Sequence, residues 1–517
     1  MLIKRAVQIA ITLTWLTSCC DPVFSVPRQE EDFGTSDIER QADGLLAKLK
    51  QLESKVNASS KKISLNDAIE LGIRNSPDLI STFRSIQQYE WQLIAAKRKW
   101  FPTLEFENGT PFYGLSATTY IQKYYNSDRE TVSSDPGSEP DTPSTLNDFT
   151  TTSTFQPGMS FTWKFIDPTR QPDINAASEA LRQQKLLFDV SARNLILDIQ
   201  TAYYSLQSTR QLIREFSKIY DINRRQLEII RARYNIRQVT VLDLAQTQTQ
   251  LFNQLNQLIA YTKKYISESA QLTKLLGMPS DTLVLPDEDA RLYQDWTLPL
   301  VDTIERASEL REETLASLAA AESAQWSGLS KMNAYLPVFQ VVGYGSLELQ
   351  SGVINGIPGL NDYNTRQESL LKDWDGAIGL GFSWLLFDGG IEAADAKSSY
   401  AEAEQERSLA QSKRLQSIEQ VRSSYGAYRT SSVAVDAARL AYKSALKAQE
   451  AARARFEIGL GDMTTIVQTI EQLGTSSQQL SEAILAYNTS VAQLYRYSAT
   501  WPGGSDQLVR QQEKQLR

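Results

Sequence analysis

The 517-residue chain contains no histidine, which removes His-based catalytic triads, His general bases and His-containing metal sites in one step. Cysteine is almost absent. The two present, Cys19 and Cys20, are adjacent near the N-terminus, so the rest of the chain has no internal disulfide to form. Beyond the first residues, no segment approaches the roughly 18 uninterrupted apolar residues of a membrane helix. If the chain enters a membrane, it does so as strands. Positive charge is short as well: 53 Lys and Arg face 61 Asp and Glu, a net charge of -8. A nucleic-acid surface needs clustered cations, so nucleic acid is not an expected partner. No carboxylate pair or phosphate-cradling glycine loop has usable context, because Asp388-Gly389-Gly390 reads as a strand-to-helix turn. Enzymatic activity, a metal site and a cofactor are therefore not expected.

What is present begins with a positive Lys4-Arg5 pair, an apolar run from Ala6 to Leu16 and then small residues, the pattern of an export signal over 1–25. Two cleavage sites fit. Leu16-Thr17-Ser18-Cys19 resembles the lipobox of bacterial lipoproteins, which would leave Cys19 acylated, whereas Val23-Phe24-Ser25 suits ordinary signal peptidase. Residues 26–63 read as a linker.

The remainder repeats itself. Ser160-Phe161-Thr162-Trp163 returns as Gly381-Phe382-Ser383-Trp384, and Arg231-Ala232-Arg233-Tyr234-Asn235-Ile236 as Arg453-Ala454-Arg455-Phe456-Glu457-Ile458, both about 220 residues later. Lys99-Trp100-Phe101-Pro102 parallels Ala334-Tyr335-Leu336-Pro337. One structural unit is duplicated, as 64–280 and 301–501, with a linker at 281–300 and a polar tail at 502–517. Each copy starts with a helix, Leu65 to Lys99 and Val301 to Tyr335, ended by a proline. Strand pairs follow within 102–166 and 337–387. Gly158 to Phe165 and Ile378 to Trp384 alternate apolar residues with polar or small ones, as does Thr103 to Glu107. Pro337 to Ser346 alternates poorly but completes a count of four strands. Asn126 to Thr154 and roughly Leu347 to Lys372 read as loops.

Ala, Gln, Ser and Leu then crowd two long helical stretches, from Asp167-Pro168 to about Tyr234 and from Asp388-Gly389-Gly390 to about Phe456. Roughly 65 helical residues make a rod near 100 Å. The returning helices, 241–276 and 464–497, are about half as long. The expected solution stacks 241–276 end to end on 301–335, so that the copies interlock. Leu244, Gln248, Leu251, Leu255, Leu258, Thr262, Tyr265, Ser269, Leu272 and Leu276 step by four and three, a buried seam. Ala434, Ala437, Ala438, Ala441, Ala445, Ala448 and Ala452 permit close helix approach.

Four amphipathic strands cannot close a membrane barrel, since the smallest have about eight, so the chain is expected to oligomerise. This order of elements, with its paired strand ends and Arg-Ala-Arg segments, resembles the TolC family of outer-membrane factors from Leu65 to about Trp501. The resemblance implies an α+β membrane protein: a homotrimer in outer-membrane lipid whose twelve-stranded β-barrel stands over an α-helical periplasmic tunnel. It implies an exit duct of a tripartite efflux or type I secretion system, partnered by a periplasmic adaptor and an inner-membrane transporter. Trp163 and Trp384 are candidates for the membrane-interface belt. Ile458-Gly459-Leu460-Gly461 matches the family's tip turn, while Ile236-Arg237 puts arginine where glycine is usual, so unequal tips are expected. These residues are the candidate adaptor contacts. Asp243 falls where relatives carry a tip aspartate and is the candidate pore residue, a cation-attracting ring in three copies; helix-start stabilisation explains it equally. Two rival readings are a non-conducting structural protein spanning the envelope and a soluble adaptor with coiled-coil hairpins.

Overall fold

The structure, a computed structural model, describes residues 35–58, 60–124, 144–279, 282–293, 295–355 and 366–517. It begins with α1 (Thr35–Ala58), β1 (Ser60–Ile63), α2 (Leu65–Asn75) and α3 (Pro77–Arg98). The first strand pair, β2 (Thr103–Tyr124) and β3 (Ser144–Ile166), leads into α4 (Arg170–Asn235) and the returning α5 (Val241–Leu275). After β4 (Leu283–Pro286), the second copy runs α6 (Leu300–Leu310), α7 (Glu312–Asn333), β5 (Val338–Asn355), β6 (Arg366–Ser383), α8 (Ile391–Glu457) and α9 (Met463–Tyr497). The chain closes with α10 (Ser505–Leu516).

Several segments differ from their sequence reading. The first helix of each copy is broken in two. Pro77 offers no amide hydrogen and forces Ser76 to extended angles, so α2 ends and α3 starts there. Copy two breaks at the equivalent Arg311, which is extended without any proline to announce it. The 26–63 linker holds α1 and β1, the 281–300 linker holds β4, and β1 pairs with β4 in parallel. The polar tail is α10, clamped across α2 to α4 by Arg510 on Asp189, both bonds 2.9 Å, and by Gln512 on the Arg74 carbonyl, 3.0 Å. Both strand pairs extend well into the segments read as loops. Residues 144–154 are strand because each pairs on one side with β2, while 126–143 and 356–365 lie outside the described residues.

All four long strands form one antiparallel sheet in the order β2-β3-β5-β6, so the β3–β5 ladder joins the two copies. The β2–β3 register slips between Asn108 and Tyr113, where Pro111 brings no amide hydrogen. The helices form a second, larger body. The 66-residue α4 is about 100 Å long. It meets α3 and α7 along its upper half and α5 and α9 along its lower half. The coiled-coil seam is as expected: Leu244, Leu251, Leu255, Leu258, Thr262, Tyr265, Ser269, Leu272 and Leu276 are all buried, Gln248 half so. The alanine stripe of α8 is so only in part, with Ala445 and Ala452 buried and Ala438 half-buried. Ala434, Ala437, Ala441 and Ala448 are exposed, because α7 and α9 cover only one side of that helix.

The stacking also differs. The end of α5 meets α2 of its own copy: a Cβ on Gly277 would lie 2.5 Å from the Asn75 carbonyl oxygen, and one on Gly72 lies 3.4 Å from Leu276. Likewise α9 ends against α6 and α7, where Trp296 packs edge-on to Tyr495 at 5.0 Å. Each returning helix thus continues its own copy's first helix. Interlocking comes instead from α4, which packs between the short helices of both copies.

Gly277 sits at φ +60° with backbone in the way, whereas Gly459 at φ +83° has open space around it. Gly277→Ala should therefore cost about 2–4 kcal/mol of strain and overpacking, against about 1 kcal/mol for Gly459→Ala. Thermal melts followed by helical circular dichroism check this, and equal costs would contradict the stacking at Gly277.

Candidate functional site

Three regions carry distinctive chemistry: the sheet, the helix ends far from it, and the joint between. In the sheet, the cross-strand register places Leu104 and Phe106, Met159, Phe161 and Trp163, Val341 and Leu347, and Trp374, Ile378, Leu380 and Phe382 on one face. The other face carries Glu105, Ser160, Thr162, Lys164, Gln340, Glu348, Asp373 and Asp375. The apolar face is open, with Trp374 81% and Leu380 81% exposed. On β6 that band runs nine residues, from Trp374 to Phe382, a length that crosses a bilayer as a tilted strand. The strand beyond it, from Thr150 to Thr154, is polar. Among the described residues β2 and β6 each keep one edge unpaired.

Trp163 and Trp384 sit at equivalent strand ends, 39% and 55% exposed. Each donates its indole N–H to the carbonyl that ends the preceding helix, Trp163 to Trp100 at 3.0 Å and Trp384 to Tyr335 at 2.9 Å. They fasten strand to helix. The chemistry beneath differs between copies. Buried Arg170 lies 4.2 Å over the Trp100 ring, while Tyr335 donates to Asp388 at 2.8 Å and accepts from the Ala393 amide.

At the far end are the two turns. Arg237 adopts φ +62° and Gly459 φ +83°. The closing bonds are alike: Arg237 N–H to the Tyr234 carbonyl at 2.9 Å and Gln238 N–H to Arg233 at 2.9 Å, against Gly459 to Phe456 at 3.0 Å and Leu460 to Arg455 at 2.9 Å. Both are the same glycine-type helix ending. The turns are thus equal in backbone, contrary to the expectation from Arg237, and unequal only in side chains. Ile236, Ile458 and Leu460 are exposed, as are Val241 and Leu242 beside them. Gly461 packs tightly, its Cβ position 3.0 Å from the Phe456 amide.

Asp243 belongs to a capping box. Its Oδ2 accepts from the Thr240 amide at 2.8 Å and hydroxyl at 2.7 Å, and its own amide donates back at 3.2 Å. In copy two the pair is exchanged: Asp462 is the cap and Thr465 donates to it, which holds the Asp462 carboxyl below its ordinary range. Arg233 ties the turns together, donating to the Phe456 and Glu457 carbonyls at 3.2 and 3.1 Å with its guanidinium 4.6 Å over the Phe456 ring. Repetition singled out this arginine, but only the packing shows its partner. Cys19 lies outside the described residues.

Between sheet and turns, α4, the start of α7 and the end of α9 share a buried ionic joint that sequence reasoning missed. Arg193 pairs with Glu312 at 2.8 Å and stacks 4.0 Å over Trp501. Glu313 takes Arg311 at 3.1 Å and Arg496. Burial pushes the Glu312 carboxyl up and the Arg193 guanidinium down, each partly offset by the other. Burial pushes Glu313 up too, but Arg496 and Arg311 outweigh it and hold it at about 2.

Arg237→Gly should remove left-handed strain and raise stability by about 0.5–1 kcal/mol, less than the strain itself because glycine also loosens the unfolded chain. Gly459→Arg should lower it similarly; denaturant melts of the two variants give both signs. Since Glu313 is depressed in the folded chain, its contribution is full above pH 4.5 and lost as pH falls towards 2. Glu313→Gln strands two buried arginines and should cost about 3–5 kcal/mol at neutral pH while flattening that acid limb. Melting temperature against pH for both proteins reads it out.

The chain's resemblance to known proteins is broad. The family model for "Outer membrane efflux protein" matches residues 68–278 and 361–500. No curated protein sequence matches the chain. Its fold is similar to the CmeC outer membrane channel of Campylobacter jejuni, with TM-score 0.65 and 15% identity, over 88% of this chain and 90% of that one. It is also similar to VceC of Vibrio cholerae, TM-score 0.60, 16% identity, 84% and 96% covered. The open-state MtrE channel of Neisseria gonorrhoeae gives TM-score 0.61, 13% identity, 84% and 89% covered. With the family match spanning most of the chain, and with an amphipathic sheet set on paired helical rods, this protein belongs to the outer membrane efflux protein family.

Proposed function

We propose that three copies of this chain join their free β2 and β6 edges into a twelve-stranded barrel and act as a passive exit duct through the outer membrane. The observation that carries this is the four-stranded sheet with one apolar face and two open edges. In lipid each unpaired edge group costs several kcal/mol, so the edges require partners. Pairing β6 with the next chain's β2 continues the antiparallel alternation, and the exposed alanine face of α8 offers the helices a similar contact between chains. The apolar face then meets lipid, with Trp163 and Trp384 at its interfacial rim, and the polar face lines the channel.

The helices form a periplasmic tunnel that takes cargo from an inner-membrane transporter through an adaptor, as part of a tripartite efflux or type I secretion system. Ile236, Ile458 and Leu460, exposed at the turns, are the adaptor contacts, with Arg237, Gly459 and Gly461 shaping them. Asp243 caps its helix at that end, and three copies would favour cations in the narrow mouth. Energy comes from the transporter.

Purified protein should run in detergent as three chains and give discrete conductance steps in planar bilayers. Trimers that insert without any conductance would leave a structural brace and overturn the duct.

A further inference from the structure

The ionic joint leaves hydrogen-bonding capacity unused. Arg193 and Arg496 are each only 5% exposed. Arg193 donates through Nη2 to the Ala499 carbonyl at 3.1 Å and holds Nε against Glu312. Arg496 donates through Nε to Asn194 at 2.8 Å and through Nη2 to Glu313. Nη1 of both is buried without a partner. Both side chains line one small cavity, together with Gln200 and Thr500. Gln200 is 6% exposed, and its side chain has no hydrogen-bond partner among the described residues. The space open to the centre of a water-sized sphere is about 10 Å³, enough for one small occupant.

Charge distinguishes what that occupant is. Arg193, Arg311 and Arg496 face Glu312 and Glu313, one carboxylate too few. Two further carboxylates act on the pair only from its edge: Asp189, shared with Arg510, reaches Arg193, and Asp198, on the solvent side, reaches Arg496. The two unused guanidinium nitrogens are donors only, so what they lack is an acceptor, and the joint's own stranded acceptor, Oε2 of Glu312, lies outside the cavity. Neither glutamate lines the cavity. We propose that this cavity is a binding site for one small monovalent anion of halide size, held between Arg193 and Arg496 with Gln200 and Thr500 completing the shell. The ion satisfies both stranded nitrogens. It thereby clamps α4 of the first copy to α9 of the second at the level where the short helices meet.

Bromide is the probe, used on the purified full-length protein in detergent. Crystals grown in sodium bromide should show one anomalous peak in contact with Nη1 of both arginines. The melting temperature should rise saturably by about 2–4 °C on exchanging sodium gluconate for sodium bromide at equal ionic strength. Gln200→Met keeps the volume, folds around the same arginines and should lose at least half of that rise. Anomalous maps with no peak there, or a melting temperature indifferent to halide, would mean a water fills the cavity and overturn the site. A peak whose occupancy leaves stability unchanged marks an adventitious ion and overturns it equally.

Discussion

A helix of 66 residues cannot hide its apolar stripe behind a partner of 35, and the rest of this molecule follows from that mismatch. Along α4 the lower half is covered by α5 and α9, and the upper half by α3 and α7. Two short helices therefore have to meet end to end beside each rod, twice per chain. Ends are where helices are weakest, because their last carbonyls and first amides lack intrahelical partners. The fold answers with structure at that level. The β1–β4 pair, α10 and the buried side chains of Tyr203 and Gln207 converge there, Tyr203 donating to the Ile63 carbonyl at 3.1 Å and Gln207 to Glu288 at 3.2 Å.

The same constraint explains why several charges are buried together at this joint, whereas Arg170 is buried elsewhere over the Trp100 ring. Glu312 and Glu313 open α7 and Arg496 closes α9, so the two helix dipoles and the two charge signs agree. Among the described residues copy one has no such buried cluster at its own break, where Pro77 sets by covalent geometry the extended backbone that copy two has at Arg311. One break needs no side chain to hold it; the other sits in a network that leaves two guanidinium nitrogens stranded.

Duplication preserved backbone more faithfully than chemistry. Both strand ends use a tryptophan N–H on the preceding helix carbonyl, and both turns close with the same pair of bonds. Around these constants the residues have drifted. Trp100 with Arg170 stands where Tyr335 with Asp388 does, and Thr240 with Asp243 has become Asp462 with Thr465. Arg237 shows the limit of reading geometry from residue type: arginine takes up left-handed angles here, φ +62°, at a cost of about 1–2 kcal/mol.

The sequence by itself determined the duplication, the rods, the buried seam on α5 and the greasy strand faces. Each rests on periodicity or composition, which the chain carries locally. It also determined that no internal disulfide and no histidine chemistry would hold the molecule together. Four matters were decided only in three dimensions. The length of the strands came from cross-strand pairing, since Thr150 to Thr154 carries little apolar signal of its own. The break at Arg311 has no proline and carries instead an ion pair to Glu313, two residues on. Which helix continues which was set by Gly277 against Asn75, a contact between residues far apart in the chain. The ionic joint joins Arg193, Glu312 and Arg496 across three helices, and no spacing along a chain encodes a meeting of that kind; only packing does.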